Sequence, residues 1–251
     1  MPERSDTARI TLALSYGALC HGLFALGAGA MVLGLFTGLM FSFGSVPWPW
    51  AVVTNLVLLA QFPLAHSFLL GKRGRALLAR MGPGGEGKRL ATTTYAIIAS
   101  IQLFILFTLW TPSEVVVFRA EGAAFYLMSA LFAGSWLLLA KATFDAGPQL
   151  QSGALGWIAL LRNRAPKFPD MPETGLFRII RQPIYVSFAL ALWTPPIWTL
   201  DQLVIAVTYT AYCILAPLRK ERRFLAIYGD RFKAYRKRVP YWLPLPLNKR
   251  T

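Results

Sequence analysis

The side chains best suited to chemistry in this sequence lie near its C-terminal end. On a helix, Leu218, Glu221, Leu225, Tyr228, Phe232 and Tyr235 recur at alternating steps of three and four, so they form one stripe. Glu221 is the one acid on it. Arg219, Lys220, Arg223, Lys233 and Lys237 fall mostly on the other faces. A carboxylate among apolar and aromatic neighbours needs a partner, because burying a lone charge is costly. Two readings follow: a structural salt bridge to Arg222 or Arg181, or a contact to a cofactor or substrate. Gly229 interrupts the run, which allows two shorter helices. A second candidate is Arg181-Gln182-Pro183-Ile184-Tyr185. Pro183 suits the first turn of a helix, where its missing N–H is no loss, and Arg181 beside that N-terminus could bind an anion such as a carboxylate. The alternative is an arginine that snorkels from a span end.

The remaining polar candidates are few. His66 at a span boundary reads either as a hydrogen-bonded interfacial residue or as a base or orienting group for a substrate. His21, beside Cys20 and Tyr16, reads as structural, and Asp145 as a helix-end or loop-capping group. Two histidines without a carboxylate cluster do not compose a catalytic metal site, so no metal is expected. The two cysteines, Cys20 and Cys213, lie in apolar stretches and read as small hydrophobes.

The elements that must position these groups are membrane spans. Of the 251 residues 55% are hydrophobic and only 15% charged, against roughly 25% charged in a soluble domain. No Asp, Glu, Lys or Arg occurs between Arg9 and Lys72. The composition excludes disorder, a disulfide scaffold and a coiled coil. Uncharged runs predict an all-α, polytopic membrane protein forming a single integral membrane domain. About six transmembrane helices are expected, near residues 10–40, 50–70, 90–111, 122–140, 183–200 and 202–218. The last two are close to the minimum length for spanning. Pro195-Pro196 threatens the fifth, which leaves a tilted or re-entrant hairpin open. Cytoplasmic segments 141–182 and 219–251 remain, the latter as a C-terminal helical cap. No cleavable leader is expected, since no short apolar region with a small-residue cleavage site stands apart from the first run.

The net charge of +15 would suggest nucleic acid in a soluble chain. Here 25 of the 26 basic residues fall on alternate loops of one side, with only Arg119 on the other. By the positive-inside rule both termini are cytoplasmic; the charge is topological, and nucleic acid is not expected as a partner. Intramembrane ionisable groups, the mark of transporters, are nearly lacking. The polar residues gather at the cytoplasmic face, which favours an interfacial enzyme.

Arg-Gln-Pro-Ile-Tyr at 181–185, the following hairpin, then Glu221, Leu225, Gly229, Phe232 and Tyr235 resemble the C-terminal signature of membrane methyltransferases related to isoprenylcysteine carboxyl methyltransferase. That signature runs R-H-P-x-Y-x-G, a helical hairpin, E-E-x-x-L and G-x-x-Y/F-x-x-Y. Upstream, Gln61, His66-Ser67, the run at 94–100, Trp110-Thr111-Pro112, Phe144-Asp145 and Thr174–Arg178 are similar to the methanethiol S-methyltransferase branch. The resemblance implies an S-adenosylmethionine-dependent enzyme with a cytoplasmic-side pocket closed by the C-terminal helices, and a bacterial inner membrane is the expected location. Its acceptor would be a small thiol such as methanethiol, giving dimethyl sulfide, and would enter from the lipid bilayer. Arg181, Gln182, Tyr185, Glu221 and Arg222 would line the cofactor site, and Arg181, Arg222 and His66 would serve the chemistry. Gln182 stands where the family has His, Ser187 where it has Gly, and Arg222 where it has a second acid. Gln182 can hydrogen-bond but not titrate, and Arg222 reverses a charge. Two other readings remain open: carboxyl or amine methylation of a lipid or lipidated acceptor, and a non-catalytic membrane relative with a degenerate site.

Few polar residues suffice for such a reaction. Displacement at a sulfonium methyl group needs alignment more than acid–base work. A thiol attacks as the thiolate, and a cation such as Arg181 or Arg222 would favour that form.

Overall fold

The computed structural model describes residues 6–244; Arg4, Lys249 and Arg250, counted among the basic residues above, lie outside them. The elements are α1 (Asp6–Phe36), α2 (Trp50–Leu69), α3 (Lys72–Met81), α4 (Gly87–Leu109), β1 (Val116–Arg119), α5 (Gly122–Asp145), α6 (Pro148–Gln151), α7 (Ala154–Leu161), α8 (Pro183–Trp193), β2 (Ile197–Thr199) and α9 (Leu200–Arg238). Five of these, α1, α2, α4, α5 and α9, are long and apolar enough to cross a bilayer. Their outer faces are apolar: Leu137 is 72% exposed, Leu127 62% and Leu56 56%. Water would penalise such surfaces and lipid does not. The chain is an all-α polytopic membrane protein.

The described residues pack as two compact units built from non-contiguous segments. One contains α1 to Gly34, residues 41–112 and residues 148–168. Its helix α4 packs against α2, α3 and α7. Three polar pairs run along the α2–α4 seam. Asn55 Nδ2 donates to Thr111 O at 2.8 Å, while Thr111 N donates back to Asn55 Oδ1. Gln61 Nε2 donates to Gln102 O at 2.9 Å, and Gln102 Nε2 donates to Gln61 Oε1 at 2.7 Å. The Tyr95 hydroxyl shares a hydrogen bond with the His66 ring, 2.6 Å from Nε2. Polar side chains within an apolar medium find each other in this way. Elsewhere in the unit, His21 Nε2 accepts from Trp157 Nε1 at 3.1 Å; Cys20 here and Cys213 in the other unit are buried and form no disulfide.

The other unit holds residues 35–40, 113–147 and 169 onward. Here α8 packs against both α5 and α9. With 11 residues, α8 is about 17 Å long, short of the roughly 30 Å hydrocarbon layer. It ends at Trp193 because Pro195-Pro196 cannot extend it. The hairpin formed by α8, β2 and α9 nevertheless runs the length of α5. Its tip, β2, pairs antiparallel with β1, just before α5, in the register Phe118↔Trp198 and Arg119↔Ile197. Its base is tied to the last turn of α5, where Asp145 Oδ2 accepts from Leu176 N at 2.9 Å. The hairpin therefore traverses α5 from end to end, with extended residues completing what the short helix lacks. This two-stranded sheet takes β1 from a Val115-Val116-Val117-Phe118 run, whose β-branched valines suit a strand.

Helix α9 begins with Thr199 Oγ1 accepting from Gln202 N, an N-cap. It does not stop at Leu218, where the apolar run ends. It carries four basic residues into the next turn and a half, breaks at Gly229 (φ 50°, ψ −122°), and resumes to Arg238. The sixth expected span and the cap are thus one continuous helix up to that break, since nothing between Leu218 and Gly229 interrupts helical geometry. The first span likewise ends early, at Phe36, where Gly38 and Leu39 take positive φ.

Candidate functional site

The broken α9 and the start of α8 build one cluster of charges inside the second unit. Gly229 redirects the chain so that Phe232 and Tyr235, both buried, pack with Met171 and Val239. Phe224, Leu225 and Tyr228 from before the break join them. From Glu221 onward the predicted stripe is an inward face, folded at its glycine, whereas Leu218 at its start is exposed. Tyr235 fastens it by donating its hydroxyl hydrogen to Phe177 O at 2.7 Å. Phe177 is held by the 3₁₀ turn Gly175–Arg178, itself anchored on Asp145.

Glu221 lies on that face, 7% exposed, and three donors converge on it. Arg181 Nε donates to Oε1 at 2.8 Å and Nη2 to Oε2 at 3.5 Å. Gln182 Nε2 donates to Oε1 at 3.0 Å, and Arg236 Nε stands 3.7 Å from Oε2. Of the two partners expected for Glu221, Arg181 is the one that forms the bridge. Gln182 is 2% exposed and uses both ends of its amide: its Oε1 accepts from Lys220 Nζ at 3.3 Å. A fixed donor beside a fixed acceptor is what an amide offers without titrating.

The residues from Arg236 to Tyr241 form a strap over Arg181. Its Nη1 donates to Val239 O at 2.6 Å and Arg236 O at 3.2 Å. The Arg181 backbone N–H donates to Pro240 O at 2.9 Å. The guanidinium also lies over the Tyr241 ring, 5.4 Å from its centre. Burial, with the Glu221 charge adding to it, pushes the Tyr241 phenol up to about 12, so it stays neutral. Pro172, Phe177, Phe224, Phe232 and Tyr235 complete the walls with Arg181, Gln182, Lys220 and Glu221. The space left between these walls is about 10 Å³, room for roughly one water. Two guanidinium groups, Arg181 and Arg236, face the one carboxylate, and the Lys220 amine stands beside them on Gln182.

The other expected site residues do not line this pocket. Arg222 is exposed, makes no hydrogen bond or ion pair among the described residues, and does not line the pocket. One residue on from Glu221, it is turned about 100° round the helix. Tyr185 is half-buried and also outside the wall. His66 belongs to the other unit, in its pair with Tyr95. Ser187 is fully buried and donates to Pro183 O at 2.8 Å, so the hydroxyl that a glycine would lack is absorbed within its own helix. Lys220, Phe177, Phe224 and the strap went unforeseen. Lys220 returns to the pocket only through its long stem, and the strap carries no periodic signal.

The chain is related in sequence to several proteins named methanethiol S-methyltransferase. It is 28% identical over 200 residues to one from Pseudomonas deceptionensis, covering 78% of this chain and 74% of that protein. One from a Pseudomonas strain is 27% identical over 233 residues, covering 90% and 88%. One from Mycobacterium tuberculosis is 29% identical over 209 residues, covering 80% and 82%. No family model and no solved structure matches the chain.

Proposed function

We propose that this chain is a membrane methyltransferase that uses S-adenosylmethionine to methylate a small thiol such as methanethiol, with both termini cytoplasmic in a bacterial inner membrane. The names of its relatives support the reaction class. The observation that carries the site is the buried Arg181–Gln182–Glu221 cluster walled by aromatic rings. Its chemistry fits the donor: Glu221 for an ammonium group, Arg181 and Arg236 for a carboxylate, and the faces of Phe177, Phe224 and Phe232 for a cationic sulfonium. The closed space does not fit it, so binding requires the strap from Arg236 to Tyr241 to move off Arg181.

When bound, the donor supplies an electrophilic methyl group; the residues supply position. Glu221 fixes Arg181, and the strap excludes water once closed, which protects a reactive methyl donor. Arg181 favours the thiolate over the thiol in an apolar setting. Arg222, exposed here, would contribute only from outside the present wall, and Tyr185 would reach a ligand only in the opened state. A small apolar thiol dissolves in lipid and needs no polar channel.

Membranes containing the protein, given methanethiol and S-adenosylmethionine, should release dimethyl sulfide into the headspace well above a vector control. None from a preparation that binds the donor would reject this acceptor and favour a lipid or carboxyl acceptor.

A further inference from the structure

We infer that Lys220 takes the acceptor thiol's proton, a role that rests on the methyl-transfer reading above. Lys220 is the one pocket group that reading leaves without work. Its Nζ lies 5.5 Å from the centre of the Phe177 ring and 5.4 Å from that of Phe224. Its hydrogen-bond acceptor is Gln182 Oε1, at 3.3 Å. No carboxylate lies within ion-pair distance of it among the described residues, although Glu221 is its neighbour in sequence. That carboxylate is turned toward Arg181, Gln182 and Arg236.

The charged and titratable groups around Lys220 are Glu221 and Arg223 on its own helix, Arg181 before α8, and Tyr235 beyond the break. Tyr235 is held neutral by burial. Two aromatic faces and one neutral amide replace the water that an ammonium prefers, and burial pushes Lys220 down to about 8. Gln182 matters here. A carboxylate in its place would hold the proton on Lys220, whereas an amide oxygen accepts one N–H and leaves the nitrogen able to lose another.

The same two ring faces are those best able to receive a sulfonium. A second cation placed there would repel the ammonium and favour the neutral amine. Neutral Lys220 then has a lone pair at the pocket wall. The thiol's proton passes to Nζ, and the sulfur's electron pair becomes the new bond to the methyl carbon. The pair of the broken sulfonium C–S bond stays on the departing sulfur. Lys220 afterwards returns its proton to water when the pocket opens.

The test uses the full chain in detergent, as wild type, Lys220→Met and Lys220→Arg. Amine acylation followed by mass spectrometry against pH, without donor or acceptor, should show Lys220 titrating near 8. Titration of Lys220 at the ordinary lysine value of ~10.4 would overturn the proposal. In thiol methylation, wild-type kcat/KM should rise with pH and level off above about 8. Lys220→Met should lose about 100-fold or more at pH 8, and Lys220→Arg should fail to restore it, because a guanidinium cannot accept a proton. Rescue by Arg, or an unchanged profile in Met, would make Lys220 a charge or a structural group and overturn the proposal while sparing the methyl-transfer reading. If wild type binds the donor but methylates no thiol, both fall together. Should Lys220→Met not fold, the acylation titration and Lys220→Arg decide.

Discussion

At the scale of residues, Glu221 holds the cluster together, because it is the carboxylate that lets Arg181 and Gln182 sit buried at one point. Hydrogen bonds to charged groups contribute about 1.5–3 kcal/mol each. Glu221→Gln keeps the shape and removes the charge, so S-adenosylmethionine should bind about tenfold or more weakly by calorimetric titration. Equal affinities would leave Glu221 a structural anchor only. Lys220 gives a second expectation, with a definite sign. Its pKa is about 8 when folded against 10.5 for the free side chain, so the unfolded chain binds the extra proton between those values. Stability from this group therefore rises with pH through that window and is at its lowest below pH 8. Lys220→Met should raise the thermal midpoint at pH 7, and that gain should shrink as pH approaches 10.5; a gain that grows with pH would contradict the assignment. The Glu221–Arg181 bridge was legible as one of two alternatives, since a carboxylate on an apolar stripe requires a cation and Arg181 and Arg222 were both open as its partner. Lys220 was not, because helical periodicity assigns a face to the Cα and not to the end of a four-carbon stem.

At the scale of elements, Gly229 and the α8 hairpin shape the site. The φ of 50° and ψ of −122° at Gly229 suit glycine alone, and nothing stands within 4 Å of where a Cβ would go. Gly229→Ala should therefore cost about 1–3 kcal/mol from backbone strain alone. A lowered thermal midpoint together with weakened donor binding would show that the fold of the stripe, and not only its sequence, makes the pocket; an unchanged protein would mean that the break is dispensable. Gly229 was readable as a break, and the long spans were readable from uncharged runs, because lipid imposes one rule on every residue of a helix. The β1–β2 pair was hidden: four residues in one loop and three in another meet only because α5 and the hairpin run side by side. A span over 183–200 was expected, with a re-entrant hairpin as the alternative; helix fills only 11 of those residues, because Pro195-Pro196 ends it.

At the scale of the whole molecule, the apolar helices describe a membrane protein, and the proposed orientation puts its chemistry on the cytoplasmic side. Reporter fusions after Ser45 and after Asn248 should fall on opposite sides, the second cytoplasmic; the same side for both would reject the assigned orientation. The relatives' shared name and the cluster at Glu221 both lead to methyl transfer, and one measurement joins them. Purified protein in lipid vesicles would receive methanethiol and S-adenosylmethionine carrying a deuterated methyl group, with the volatile product read by mass spectrometry. The account predicts deuterated dimethyl sulfide from wild type, and at least about tenfold less from Glu221→Gln at subsaturating donor. Undeuterated product, no product, or equal yields from the two proteins would contradict it.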